Sequence, residues 1–113
     1  MTIRNAVIAA AGLLLLSAVP ASAQGMGLAG IHEWVRVGNK VCMKDHYHDG
    51  ASAGEKSKKA AEAAAIGSWQ GFTAWEYGNA WGSFRNAESK SVKCEGTGNS
   101  WGCQVQARPC RRR

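Results

Sequence analysis

The chain has 113 residues, and its 14 lysines and arginines outnumber its eight aspartates and glutamates, which gives a formal net charge of +6. A chain of this length excludes more than one modest domain, and such a domain buries only a little over half of its unfolded surface. The basic balance favours anionic partners such as envelope polymers, lipid head groups or nucleic acid.

Residues 1–23 have the three zones of a secretory signal peptide. Arg4 supplies the positive charge, residues 6–19 form an apolar segment, and the small residues at 21–23 offer a cleavage site. The apolar segment has about 14 residues, fewer than the roughly 20 that cross a bilayer. We therefore predict cleavage after Ala23, no transmembrane segment in the processed chain, and export to the periplasm or the medium.

The segments that follow the cleavage point are predicted to contain little regular structure. Residues 24–39 are rich in glycine and lack a sustained period, which indicates a flexible N-terminal arm. The folded domain is expected to span residues 40–113 and to begin with a short strand over residues 40–43. Residues 45–54 are polar and small, as is typical of a loop.

The alanine-rich stretch beginning at residue 55 predicts an α-helix, because it consists mostly of strong helix formers. Its apolar residues recur at steps of three and four, at Ala61, Ala65, Trp69 and Phe72. The small alanines on this face would allow a sheet to approach closely. Gly78 is expected to end or kink the helix. A spacing of three then predicts a second short helix, with Trp81, Phe84 and Ala87 on one side.

The C-terminal third is predicted to be a β-hairpin. Residues 91–95 and 101–107 alternate between two faces, and the residues between them have turn-forming chemistry. The alternation points Cys94 and Cys103 inward, which favours a disulfide across the hairpin and leaves Cys42 to pair with Cys110. An even number of cysteines in an exported chain indicates disulfides, although four cysteines allow three pairings.

Together these elements predict one small α+β domain with the order β-α(α)-β-β. Its three-stranded antiparallel sheet is expected to be covered on one side and stapled by disulfides. Part of the pattern is also found elsewhere: Ala65-Ile66, Trp69, Tyr77-Gly78, Trp81, Ala87, Cys94, Cys103, Ala107 and Pro109-Cys110. In these positions the chain resembles small, mostly uncharacterised exported proteins of alphaproteobacteria, over about residues 40–111. The resemblance implies the same fold and compartment and carries no activity.

Two histidines and two aspartates of the predicted loop lie within five residues, at Asp45, His46, His48 and Asp49. If the segment is extended, the two histidines point to the same side and could hold Zn²⁺, Cu²⁺ or Ni²⁺, with either aspartate adding an oxygen ligand. His32 could join them from the arm. The alternative is that both histidines are exposed to solvent or hydrogen-bonded to the backbone.

Two groups of basic residues are the candidate anion-binding site, at Arg111, Arg112 and Arg113 and at Lys56, Lys58 and Lys59. The terminal arginines follow a cysteine that anchors them near the domain surface, where they could bind phosphate or carboxylate through two hydrogen bonds. The alternative is a solvated basic tail. Because export separates the chain from nucleic acid, an anionic envelope component is the expected partner.

No catalytic residue is assigned, because the sequence lacks a recognisable nucleophile–base pair or pair of opposed carboxylates. We therefore expect no enzyme activity. Two functions from different classes remain. The first is an exported, non-enzymatic interaction module that binds an anionic envelope or extracellular partner through a basic surface. The second is a periplasmic transition-metal-binding protein that uses the loop of residues 45–49.

Overall fold

The helix predicted from the alanine-rich stretch is the central element of the fold. The computed structural model describes residues 27–113, so the predicted signal peptide and the start of the predicted arm lie outside the described residues. Helix α1 spans Lys58–Tyr77. It begins after Ser57, whose hydroxyl accepts a hydrogen bond from the N–H of Ala60 at 3.1 Å. It ends at Gly78, whose φ of 101° is one that glycine adopts easily.

The described residues also form six strands, all paired antiparallel. They are β1 (Trp34–Val37), β2 (Lys40–Met43), β3 (His48–Ala51), β4 (Glu88–Thr97), β5 (Ser100–Arg108) and β6 (Cys110–Arg112). One sheet has the strand order β1-β2-β6, and the second has the order β3-β5-β4. A short 3-10 helix at Gly27–Ile31 precedes β1.

The α+β class is confirmed, but two three-stranded sheets replace the single predicted sheet. The predicted hairpin corresponds to β4 and β5, and the strand predicted at residues 40–43 is β2. Strands β1, β3 and β6 have only three or four residues each, too few to show a sustained alternation in the sequence. Strand β1 lies within residues 24–39, where the glycine content indicated a flexible arm.

Two short 3-10 helices, Asn79–Trp81 and Phe84–Asn86, occupy the place of the predicted second α-helix. The spacing of three that predicted this helix is itself the period of a 3-10 helix, which has three residues per turn. The side chains on that spacing are nevertheless buried: Trp81, Phe84 and Ala87.

Helix α1 packs its buried face against β3 and β5 of the second sheet. The buried residues recur at steps of four, at Ala61, Ala65, Trp69, Thr73 and Tyr77. Phe72 was predicted on this face because it lies three residues after Trp69, but Phe72 is 48% exposed. Thr73 takes its place in the core because its hydroxyl is hydrogen-bonded to the side chain of His48.

Each sheet contains one disulfide between two of its own strands. Cys42–Cys110 joins β2 to β6 in the first sheet, and Cys94–Cys103 joins β4 to β5 in the second. This is the pairing that the alternation of the hairpin favoured. Each disulfide joins residues that lie directly opposite each other in neighbouring antiparallel strands. Cross-links of this kind are typical of proteins that fold outside the reducing cytosol.

Candidate functional site

An open cleft, half of whose lining residues are basic, lies between the first sheet and the chain segment that leads into β4. Its volume is about 850 Å³. The charged residues that line it are Arg36, Lys40, Arg85, Arg112, Arg113 and Glu88. Positive side chains outnumber negative ones by five to one, so this cleft is the candidate anion-binding site.

The pairing of β2 with β6 brings basic residues from distant parts of the chain together. Lys40 lies directly opposite Arg112, and the Cys42–Cys110 disulfide joins the same two strands. The backbone N–H of Arg113 donates a hydrogen bond at 3.2 Å to a carbonyl of the turn between β1 and β2. The disulfide and this hydrogen bond fix Arg112 and Arg113 at the β6 edge of the first sheet.

One of the five cations is neutralised within the cleft. Lys40 forms a salt bridge with Glu88, and its Nζ also donates a hydrogen bond to the carbonyl oxygen of Asn86 at 2.9 Å. The hydrogen bond from Lys40 holds the pKa of the Glu88 carboxyl below its usual range. Among residues 27–113, no salt bridge involves any of the four cleft arginines. Their guanidinium groups are therefore available to an added anion.

Only part of the predicted anion-binding site enters the cleft. Arg112 and Arg113 line it, whereas the guanidinium of Arg111 lies 5.6 Å from the centre of the Trp34 ring. The difference follows from strand geometry, because successive side chains of β6 point to opposite faces. The predicted lysines are exposed near the start of α1 and do not line the cleft: Lys56, Lys58 and Lys59.

Three of the five cleft cations, Arg36, Lys40 and Arg85, were not predicted from the sequence. For Lys40 a signal was present, because it lies two residues before Cys42 and Arg112 lies two residues after its disulfide partner. Antiparallel pairing around that disulfide places the two side chains opposite each other. Arg36 and Arg85 carry no comparable signal, since only the tertiary fold brings them to the cleft.

The predicted metal loop is divided between two faces of β3. His48 is only 5% exposed, and its Nε2 lies 3.1 Å from Oε2 of Glu76. Its Nδ1 is hydrogen-bonded to Oγ1 of Thr73 at 2.9 Å, and burial lowers the pKa of the ring. Asp49, the next residue, is exposed and accepts a hydrogen bond from Nε2 of Gln106 at 3.1 Å. His48 and Asp49 therefore have separate partners.

Asp45 and His46 lie in the exposed loop between β2 and β3. The ring of His46 packs edge-to-face on the ring of His32, with 4.2 Å between the ring centres. Within residues 27–113, no three side chains of His, Cys, Asp or Glu form a group suited to a metal ion. The structure thus brings together His32 and His46, which lie fourteen positions apart in the sequence.

Comparison with known proteins adds no functional assignment to this geometry. The chain matches no protein-family model, no curated protein and no solved structure. In the part of the chain that the structure describes, no helix is both long and apolar enough to cross a membrane. The basic cleft and the His32–His46 pair are two candidate binding sites of the chain.

Proposed function

We propose that the protein is an exported, non-enzymatic interaction module that binds an anionic envelope or extracellular partner in the basic cleft. The observation that carries this proposal is the set of four arginines that line one open cleft without forming a salt bridge within residues 27–113. A guanidinium group binds a phosphate or carboxylate through two parallel hydrogen bonds and keeps its charge at every physiological pH.

The open shape of the cleft suits a charged head group or a polymer better than a small enclosed ligand. A ligand that needs tight enclosure typically buries most of its surface in an apolar pocket. This cleft is lined instead by charged and polar residues, with Asn39 and Asn86 between the basic side chains. Binding through such a surface depends on charge and is weakened by salt.

Export is part of the proposal. It is supported by the two disulfides, which persist in oxidising compartments, and by the signal-peptide pattern of residues 1–23. An exported protein meets the phosphate and carboxylate groups of the envelope before it meets nucleic acid. Anionic lipid is therefore a suitable first probe.

The test compares two variants that lose the same charge at different places. Arg36→Ala/Arg112→Ala removes two cations from the cleft, and Lys56→Ala/Lys59→Ala removes two cations outside it. Binding to phosphatidylglycerol vesicles is measured by sedimentation at low and high salt, with phosphatidylcholine vesicles as the uncharged comparison. One basic residue near an anionic membrane contributes about 1 kcal/mol, so the cleft variant should bind about 30-fold more weakly.

The lysine variant should remain within about threefold of the unmodified protein, because its missing charges lie outside the cleft. Equal losses in the two variants would mean that affinity follows net charge alone, and the cleft would then have no special role. Binding that is insensitive to salt would also contradict the proposal, since it would indicate an apolar contact.

A further inference from the structure

His32, which is half-buried, and the exposed His46 meet although fourteen positions separate them in the sequence. His32 follows the 3-10 helix at Gly27–Ile31, and His46 lies in the loop between β2 and β3. Their ring planes are at 89° to each other, with 4.2 Å between the ring centres. The β1–β2 hairpin brings them together, because one histidine precedes β1 and the other follows β2.

The hydrogen bond of His32 determines which ring nitrogen can bind a ligand. Nδ1 lies 2.8 Å from the backbone carbonyl oxygen of Leu28. A carbonyl oxygen only accepts, so Nδ1 carries the proton and Nε2 of the neutral ring carries the lone pair. A backbone carbonyl that holds the non-ligating nitrogen of a histidine is the usual support of a metal-binding imidazole.

His48 is excluded from the pair by its own contacts. Both of its ring nitrogens are occupied by Thr73 and Glu76, and the ring is stacked on Tyr77 with 4.7 Å between centres. Tyr77 in turn packs edge-on against His32 at 5.2 Å. His48 and Tyr77 therefore form the buried support beneath His32.

The hydroxyl of Tyr77 is a second unusual feature of this region. It is buried and has no hydrogen-bond partner among residues 27–113. Burial raises the pKa of Tyr77 to about 12, so the hydroxyl keeps its proton and remains a donor. A buried donor without an acceptor is unfavourable in the folded state, so this hydroxyl is an unsatisfied polar group on a ring that contacts His32.

We propose that His32 and His46 together bind a transition-metal ion, with water in the remaining coordination positions. Imidazole nitrogen binds Cu²⁺, Ni²⁺ and Zn²⁺, and the general affinity order places Cu²⁺ first. With two protein ligands the site is open and its affinity moderate. This site differs from the chelate expected at residues 45–49, because His32 replaces His48. None of its residues lines the basic cleft, so it stands independently of the anion-binding proposal.

The experiment titrates Cu²⁺ into the purified protein by calorimetry at neutral pH. We expect one Cu²⁺ per chain, and at least a tenfold loss of affinity in either His32→Ala or His46→Ala. The matched control is Asp49→Asn, which alters the loop chelate but leaves both proposed ligands in place. Its affinity should equal that of the unmodified protein. Acidification should weaken binding, because protons compete for the imidazole nitrogens.

Electron paramagnetic resonance of the Cu²⁺ complex gives a readout that a merely structural role would not change. Two coordinated imidazoles are expected in the unmodified protein and one in His46→Ala, whose exposed position makes a folding defect unexpected. Absence of Cu²⁺ binding, unchanged affinity in His32→Ala, or a loss in Asp49→Asn would each overturn the proposal. Melting temperatures of the metal-free variants verify that each is folded.

Discussion

Replacing Gly50 by alanine should separate β3 from helix α1. Gly50 is buried at the point where the strand crosses the alanine face of the helix. A Cβ at this position would lie 2.6 Å from the backbone nitrogen of Trp69 and closer still to the carbonyl oxygen of Ala65. These are backbone atoms of a packed helix, so no side-chain rotation can relieve the overlap.

The expected loss of stability is about 3 kcal/mol. Added atoms in a well-packed core typically cost 1–3 kcal/mol, and an overlap with backbone belongs at the upper end. The displacement would also strain the hydrogen bond from Nε1 of Trp69 to the carbonyl of His48, which measures 2.9 Å. Gly71→Ala is the matched control, since its Cβ would meet nothing within 4 Å. It should stabilise exposed helix by up to about 1 kcal/mol.

Urea unfolding followed by tryptophan fluorescence measures both free energies of unfolding. The two substitutions add the same methyl group. Opposite changes in the free energy of unfolding would therefore be due to the contact between helix α1 and strand β3. A Gly50→Ala variant as stable as the unmodified protein would refute the close packing of β3 on α1. A destabilised Gly71→Ala variant would refute the conclusion that the Gly71 side of helix α1 faces solvent.

Further predictions concern the disulfides and pH. Replacing the cysteines of the Cys42–Cys110 disulfide by serine should cost about 4.4 kcal/mol and weaken vesicle binding, because a loop with a sequence separation of 68 opens beside the cleft. The same change at Cys94–Cys103, with a separation of 9, should cost about 2.7 kcal/mol and leave binding intact in urea-free buffer. Burial lowers the pKa of His48, so the unfolded chain binds more protons and stability should fall as pH drops below about 6.5. His48→Gln should flatten that decline in unfolding measurements between pH 7 and 5.

The elements that the sequence predicts are those with a long, uninterrupted local signal. Helix α1 combines strong helix formers with a terminating glycine, and the hairpin of β4 and β5 combines alternation with a glycine-rich turn. Strand β3 could not be predicted in the same way. Its sequence, His48–Ala51, is polar and small, and it becomes a strand because Gly50 admits the helix and His48 finds buried partners on it.

The candidate sites were less predictable than the fold because each depends on residues far apart in the chain. Composition drew attention to basic residues and histidines, but it grouped them by proximity in sequence. Arg111 and Arg112 are neighbours that strand alternation separates, whereas Lys40 and Arg112 are distant residues that strand pairing joins. The same distinction applies to His46, which contacts a histidine from before β1 rather than its neighbour in the loop.

The β1–β2 hairpin positions residues of both proposed sites, and the two sites lie at its opposite ends. The turn end of the hairpin carries the cleft residues Arg36 and Lys40, while the open end carries His32 and His46. Strands of four residues rise about 3.4 Å per residue, so the two ends lie more than about 10 Å apart. Charges at that separation are largely screened at physiological ionic strength, where the Debye length is about 8 Å. An ion on the histidines therefore changes the potential in the cleft little, and the failure of either proposal leaves the other standing.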